Sequence, residues 1–278
     1  MRLSCGRVFR RHGSHSFAYT PRPRATSAMT IQDERLITVW FDIDNTLYST
    51  SAKISQAMGV KIHNYFVKLG LSDREASDLH HKYYTQYGLA LAGLIRHHDV
   101  DPLDFDLNCD QALPLEEMIF PNPAHRKLLE DIDRSRIRVW ALTNAYKVHA
   151  ERVLRILNLR DLIEGIVYCD YEAKDLTSKP EPAYYHKAMT LASMADPSKC
   201  YFIDDNWRNV EAARNIGWGH CVHFCERGLE HVEGGKVIKI SAATEANENL
   251  KHEEKLGIKV ISDLEELRDV WPEIFKSS

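Results

Sequence analysis

Six short apolar runs punctuate the chain, and helical patterns separate most of them. The runs are LITVWF (36–41), IRVWALT (137–143), GIVYCD (165–170), KCYFID (199–204), HCVHFC (220–225) and IKVIS (258–262). Each is rich in Val, Ile, Trp, Tyr or Phe and closes on a polar or turn residue, as strands buried on both faces do. Between them stand the amphipathic stretches AHRKLLEDI (124–132), KVHAERVLRILNL (147–159) and EPAYYHKAMTLASM (181–194). This alternation predicts an α/β fold: a Rossmann-like three-layer parallel sheet with helices on both faces.

One interval breaks the rhythm. From Ser51 to Ile119 no strand pattern occurs, and KISQAMGVKIHNYFVKLG (53–70), SDREASDLHHKYYTQYG (72–88) and LALAGLIRHH (89–98) all read as helices. Ser72 followed three residues later by Glu75 forms a capping box that opens the second of them. Pro114, Pro121 and Pro123 mark the return to the sheet. The expected organisation is therefore a core from 31–50 and 120–278, an all-helical insertion at 51–119, and a disordered Arg-rich tail at 1–30. The polar, glycine-marked segment 226–257 reads as a loop with a helix of uncertain bounds.

Charge divides the chain unevenly. Residues 1–28 hold six arginines and no acid, which leaves 30 basic against 40 acidic residues in the rest, a net charge of −10. So acidic a body is unsuited to a nucleic-acid surface. The arginine-rich start has the composition of a mitochondrial transit peptide, but equally that of a disordered tail or of a start codon placed upstream of Met29. The expected location is the cytoplasm, extending to the nucleus, or the mitochondrion if residues 1–28 are a transit peptide. No run reaches the roughly 18 apolar residues of a membrane helix. The six cysteines include no CxxC pair and several lie in strand-like runs, so they read as reduced core residues. The cluster HCVHFC matches no standard zinc spacing and reads as a half-buried strand.

Ligands of open parallel sheets bind beyond the carboxyl ends of the strands, so each strand end can be asked what it delivers. The first delivers Asp42 and Asp44, which alternation would aim into one small volume, followed by Asn45 and Thr46. Like charges that close demand a proton or a cation. The second delivers Thr143 and Asn144, the fourth Asp204 and Asp205, with Asn206 next and Asn209 one turn on. The segment SKPEP adds Lys179 before Pro180. Carboxylates, a hydroxyl and an ammonium at one edge suit a Mg²⁺-assisted reaction of a phosphate group. Thr143 and nearby backbone N–H groups can bond phosphate oxygens, Lys179 can offset developing negative charge, and one carboxylate can attack phosphorus.

FDIDNTL, LTN, SKP and FIDDN, in that order, resemble the four motifs of the haloacid dehalogenase superfamily, with the helical insertion where that superfamily places its C1 cap. In finer wording, DIDNTLY, KYYTQYGLALAGL, LPL, LTNAYKVHA, VYCDY and YFIDDN resemble the fungal-type pyrimidine 5′-nucleotidases. The resemblance implies that Asp42 is both nucleophile and Mg²⁺ ligand. Asp44 would protonate the leaving oxygen, then deprotonate the hydrolytic water, while its carbonyl binds Mg²⁺. Thr143, Asn144 and Lys179 would hold the phosphate, and Asp205 would be the direct metal ligand. Asp204 would orient a metal-bound water, and Asn209 would brace Lys179. The glycine usual after the second aspartate is replaced here by Asn45.

The implied activity is hydrolysis of a nucleoside 5′-monophosphate such as UMP or CMP by a monomer or dimer. In the cap, Tyr83, Tyr84 and Tyr87 could stack on a base or pack in a core. Arg96 could reach a substrate anion, and His80-His81 and His97-His98 read as solvated helix faces. Rival substrates are purine nucleotides, nicotinamide mononucleotide and lysophosphatidic acid. A dehalogenase would need neither Asp44 nor Asp205, a phosphomutase would need a second phosphate clamp, and a silent binding module would not need the intact set.

Overall fold

A computed structural model describes residues 37–226, 230–239 and 255–276. Six strands form one sheet: β1 (Ile37–Phe41), β2 (Ile137–Leu142), β3 (Gly165–Val167), β4 (Cys200–Asp204), β5 (His220–Phe224) and β8 (Lys259–Ile261). They run in the order β3-β2-β1-β4-β5-β8, and every pairing is parallel. Alternation along β1 sends Val39 and Phe41 to one face and Trp40 to the other. Val39 and Phe41 join one apolar cluster with residues of α6 (Pro123–Asp131) and α7 (Lys147–Ile156). Trp40 joins a second with α8 (Pro182–Leu191) and α9 (Trp207–Asn215), where it stacks on Trp218 with ring centroids 5.6 Å apart. All three side chains are fully buried, so the sheet is covered on both faces and its strands carry no polar alternation.

Between β1 and β2 the chain forms α1 (Ile54–Lys68), α2 (Asp73–Tyr87), α3 (Ala90–His97), α4 (Pro102–Asn108) and α5 (Leu115–Met118). The helices α1 to α4 share a third apolar cluster, with Phe66, Tyr83, Leu91, Leu94 and Phe105 at its heart. The capping box that opens α2 is present: Ser72 N donates to Glu75 Oε2 at 3.0 Å, and Glu75 N to Ser72 Oγ at 3.4 Å.

Two expectations are corrected here. The segment after β5 contains an antiparallel hairpin, β6 (Glu230–Glu233) and β7 (Lys236–Lys239), joined by Gly234-Gly235 with φ of +53° and +76°. Two successive left-handed residues make the tight turn that glycine permits. His80 is buried rather than solvated, with its ring stacked on Phe66 at 6.2 Å. The Arg-rich tail, Cys5 and any helix within 240–254 lie outside the described residues. None of the five described cysteines forms a disulfide, and His220–Phe224 of the HCVHFC run is strand β5, with Cys221, Val222 and Phe224 buried and the two histidines half-buried. Among the described residues no helix is long and apolar enough to cross a membrane.

Candidate active site

The strand order reverses about β1, whose neighbours β2 and β4 leave in opposite directions, and the carboxyl ends of these three strands meet at that point. Asp42 directly follows β1 and donates its N–H to Ile203 O at 3.0 Å, so it continues the ladder by one residue. Its Oδ2 accepts from Thr46 Oγ1 at 3.0 Å, and its Oδ1 accepts from Lys179 Nζ at 2.6 Å. Lys179 also donates to Asp204 Oδ2 at 2.6 Å and to Leu142 O at 2.7 Å. All three protons of its ammonium are thus spent within the protein, and a phosphate would have to displace one of these bonds. Asp204 is saturated in turn: Oδ1 accepts from Asn206 N at 2.8 Å and from Asn209 Nδ2 at 3.0 Å.

Carboxylate oxygens of Asp42, Asp204 and Asp205 all lie within 4.8 Å of one another. Burial, then the charges of its neighbours Asp42 and Asp204, push the Asp205 carboxyl well above the usual range. Asp42 is also pushed up, by burial first; Lys179 opposes this, and the charges of Asp204 and Asp44 add to it. Lys179 stays charged because the two carboxylates outweigh the burial that disfavours its cation. One ammonium against three clustered carboxylates leaves an excess of negative charge that a cation would relieve. A donor set made only of hard oxygens fits Mg²⁺.

Asp44 stands apart from this cluster. Its Oδ1 accepts from Tyr48 OH at 2.8 Å and from His149 Nε2 at 2.8 Å. Burial works against its charge, but the charge of His149 and these two bonds prevail and hold its pKa below the usual value. Burial likewise disfavours the imidazolium of His149, yet Asp44 beside it raises that pKa to about 9. Asn45 adopts φ +59°, a left-handed conformation that asparagine tolerates, so it fills the place of the usual glycine without a change of backbone.

A cavity of about 570 Å³ opens over these residues, walled by the core on one side and by α1, α2 and the β6–β7 hairpin on the other. Its lining includes Asp42, Asp44, Thr143, Lys179 and Asp205 at one end and Tyr84, Tyr87, Arg96 and Phe105 elsewhere. Asn206, the N-cap of α9, donates Nδ2 to Tyr84 OH at 3.1 Å and so ties α2 to the core.

The haloacid dehalogenase-like hydrolase family model matches residues 38–217, the span that holds the three strand-end motifs and the SKP loop. The chain belongs to this family. It is 36% identical to phosphate metabolism protein 8 of Saccharomyces cerevisiae over 196 residues, which is 67% of this chain and 61% of that protein. The chain therefore matches less than two thirds of that relative's length. Solved structures of similar fold include a hydrolase from Pseudomonas syringae, at a TM-score of 0.55 and 22% identity, covering 87% of this chain and all of that one. A dehalogenase is similar at a TM-score of 0.51 and 16% identity, covering 87% of this chain and 98% of that one.

For a haloacid dehalogenase-like hydrolase several expected residues have unexpected partners. Asn144 was expected to touch substrate, but its side-chain amide is spent on the main chain of Lys179, accepting from Lys179 N at 2.7 Å and donating to Lys179 O at 2.9 Å. It shapes the lysine loop instead. Asn209 bonds Asp204, not Lys179, and so reaches the lysine only through that carboxylate. Tyr83 is packed in the third cluster and does not line the cavity. Tyr87 does line it, but its ring carries the Arg96 guanidinium 4.5 Å from the centroid and its hydroxyl pairs with His97 Nε2 at 2.8 Å. Thr143 Oγ1 accepts from Ala145 N at 3.0 Å, which leaves its hydroxyl proton to donate elsewhere.

Sequence reasoning passed over Tyr48 and His149, and named Thr46 at the strand end without giving it a role. His149 belongs to the buried stripe His149, Ala150, Val153 and Leu154 of α7, so helical periodicity placed it facing inward.

Proposed function

We propose that this chain is a Mg²⁺-dependent phosphomonoester hydrolase that works through an aspartyl phosphate, with a pyrimidine nucleoside 5′-monophosphate such as UMP or CMP as substrate. The observation that carries the reading is the Lys179 ammonium bridging Asp42 and Asp204 at 2.6 Å each, at the floor of the cavity. A carboxylate held by a lysine and a threonine hydroxyl, with one face toward a cavity, is oriented for attack on an electrophile rather than for solvation. Asp42, Asp205 and the Asp44 carbonyl would hold Mg²⁺, which when bound neutralises the clustered carboxylates and the phosphate.

An Asp42 carboxylate oxygen attacks phosphorus as the ester P–O bond breaks, and Asp44, a carboxylate in the free enzyme that takes a proton from solvent as the anionic phosphate enters beside it, gives that proton to the departing oxygen. Lys179 and Thr143 balance the negative charge gathering on the phosphoryl oxygens. Asp44, now a carboxylate, takes a proton from the water that attacks the phosphoaspartate. Inorganic phosphate leaves and Asp42 is restored.

The cavity volume falls in the range of small-ligand sites, about 300–1,000 Å³. Tyr84, Tyr87 and Phe105 on its wall suit a flat ring, while Gln86 and Asp110 offer polar contacts to ring or ribose edges. The helical segment 51–119 is the cap that confers this preference. The name of the yeast relative, phosphate metabolism protein 8, agrees with a phosphate-releasing role. The test is a phosphate-release panel of pyrimidine and purine 5′-monophosphates, nicotinamide mononucleotide, lysophosphatidate and sugar phosphates. UMP and CMP should lead; a flat profile, or one led by lysophosphatidate, removes the nucleotidase reading and leaves the phosphatase reading standing.

A further inference from the structure

His149 lies 105 residues from Asp44 in the chain, yet the two are joined at 2.8 Å. It is 3% exposed, and its other ring nitrogen, Nδ1, is buried with no hydrogen-bond partner among the described residues. Because a carboxylate only accepts, the Nε2 facing Asp44 carries a proton and donates it. Tyr48, 5% exposed, donates to the same oxygen from the other side of the motif turn. Two donors from separate elements therefore converge on Oδ1 of Asp44, and Oδ2 receives no hydrogen bond from any described residue. The Asp44 side chain is about one-third exposed and lines the cavity.

A general acid must stand within hydrogen-bond reach of the leaving oxygen, and a carboxylate on the turn after a strand has two free torsions to lose first. We propose that His149, assisted by Tyr48, is the positioning residue for Asp44: it locks Oδ1 and thereby makes Oδ2 the oxygen that passes the proton to the leaving group and recovers one from water. The inference rests on the reading of Asp44 as proton carrier. It assigns His149 no contact with substrate.

Leaving-group dependence tests it. A nucleoside or other alkyl monophosphate needs a proton on its departing alkoxide, whereas 2,4-dinitrophenyl phosphate does not. His149→Leu should lower turnover of the alkyl substrate about 10²-fold, the low end of what a general acid contributes, with kcat affected more than KM. The first, stoichiometric release of dinitrophenolate should slow no more than about threefold by the same argument. Later turnovers of that substrate should slow, because hydrolysis of the phosphoaspartate still needs a placed base, so a burst should appear. His149→Gln, whose amide can return a donor near the Nε2 position, should recover much of the loss.

Equal loss on both substrates would make His149 merely structural and overturn the proposal, as would no loss on either. If the leucine variant does not fold by circular dichroism, Tyr48→Phe carries the same test, with a smaller loss in the same direction. Asp44→Asn is the control for the underlying reading. Should it show no leaving-group dependence, the role of Asp44 itself fails; should it show one while the His149 and Tyr48 variants do not, only the present inference fails.

Discussion

Asp42 and Lys179 make each other's burial tolerable. Both are less than a tenth exposed, and each would be costly to bury alone. Replacing Asp42 by Asn keeps the shape and a hydrogen bond from Thr46 but removes the nucleophile. With Mg²⁺ present, phosphate release should fall at least about 10³-fold, in line with the loss of a covalent nucleophile. Near-normal release would rule out the phosphoaspartate. His80 allows a second test at this scale. Burial first, then the nearby His63 and His81, push its pKa down to about 4, so it is folded as the neutral ring. The unfolded chain binds a proton at about pH 6.5 that the folded chain refuses until about pH 4. Stability should therefore fall as pH drops through that window, by about 3 kcal/mol in full. Urea midpoints at pH 7 and pH 4.5 should separate less for His80→Phe than for the parent chain, and an equal separation would contradict this account.

At the scale of elements, the turn between α2 and α3 packs directly against the lysine loop. Gly88 ends α2 with φ +76°, and a Cβ there would lie 2.8 Å from Lys179 O and 3.0 Å from Pro180 Cδ. Gly88→Ala must both strain the backbone, at about 1–2 kcal/mol, and lift the turn from the loop that aims Lys179 at Asp42. Activity should drop about tenfold or more, since displacements near 1 Å are costly at a reacting centre. Steady-state kinetics and thermal melts read the two effects separately; a variant with lowered melting temperature and unchanged kcat would show that the turn does not position Lys179. The same packing explains why the helix pattern was legible in residues 53–98 while the roles of its aromatic residues were not. Tyr83 and Tyr87 stand four residues apart on one side of α2, their ring centroids 6.1 Å apart and both packed on the helical cluster, yet of the two only Tyr87, like Tyr84, also reaches the cavity. One- and three-residue steps along a helix rotate a side chain by about 100° and 300°, and only the placement of neighbouring helices decides which direction is interior.

For the whole molecule, a cation is linked to folding because the three crowded carboxylates exist only in the folded chain. Mg²⁺ at about 100 times its dissociation constant should add about 2.7 kcal/mol, a rise in melting temperature of about 5–10 °C for a chain this size. Chelation should reverse the rise and abolish phosphate release, and Asp205→Asn should flatten the melting response. A response unchanged in Asp205→Asn would move the metal elsewhere.

The sequence alone determined the parallel sheet, because strands buried on both faces are recognisable as apolar runs whatever lies around them. It determined the strand ends that carry Asp42, Asp44, Thr143 and Asp205 for the same reason, since a motif that closes a strand needs no knowledge of distant chain. It did not determine that Asn144 serves the lysine loop, that Asn209 serves Asp204, or that residues 230–239 fold a hairpin against α1. Nor did it determine that His149 meets Asp44. Apart from Asn209 and Asp204, five residues apart, those contacts join residues 35 or more positions apart, and a contact of that separation is set by how layers pack, which local periodicity does not encode.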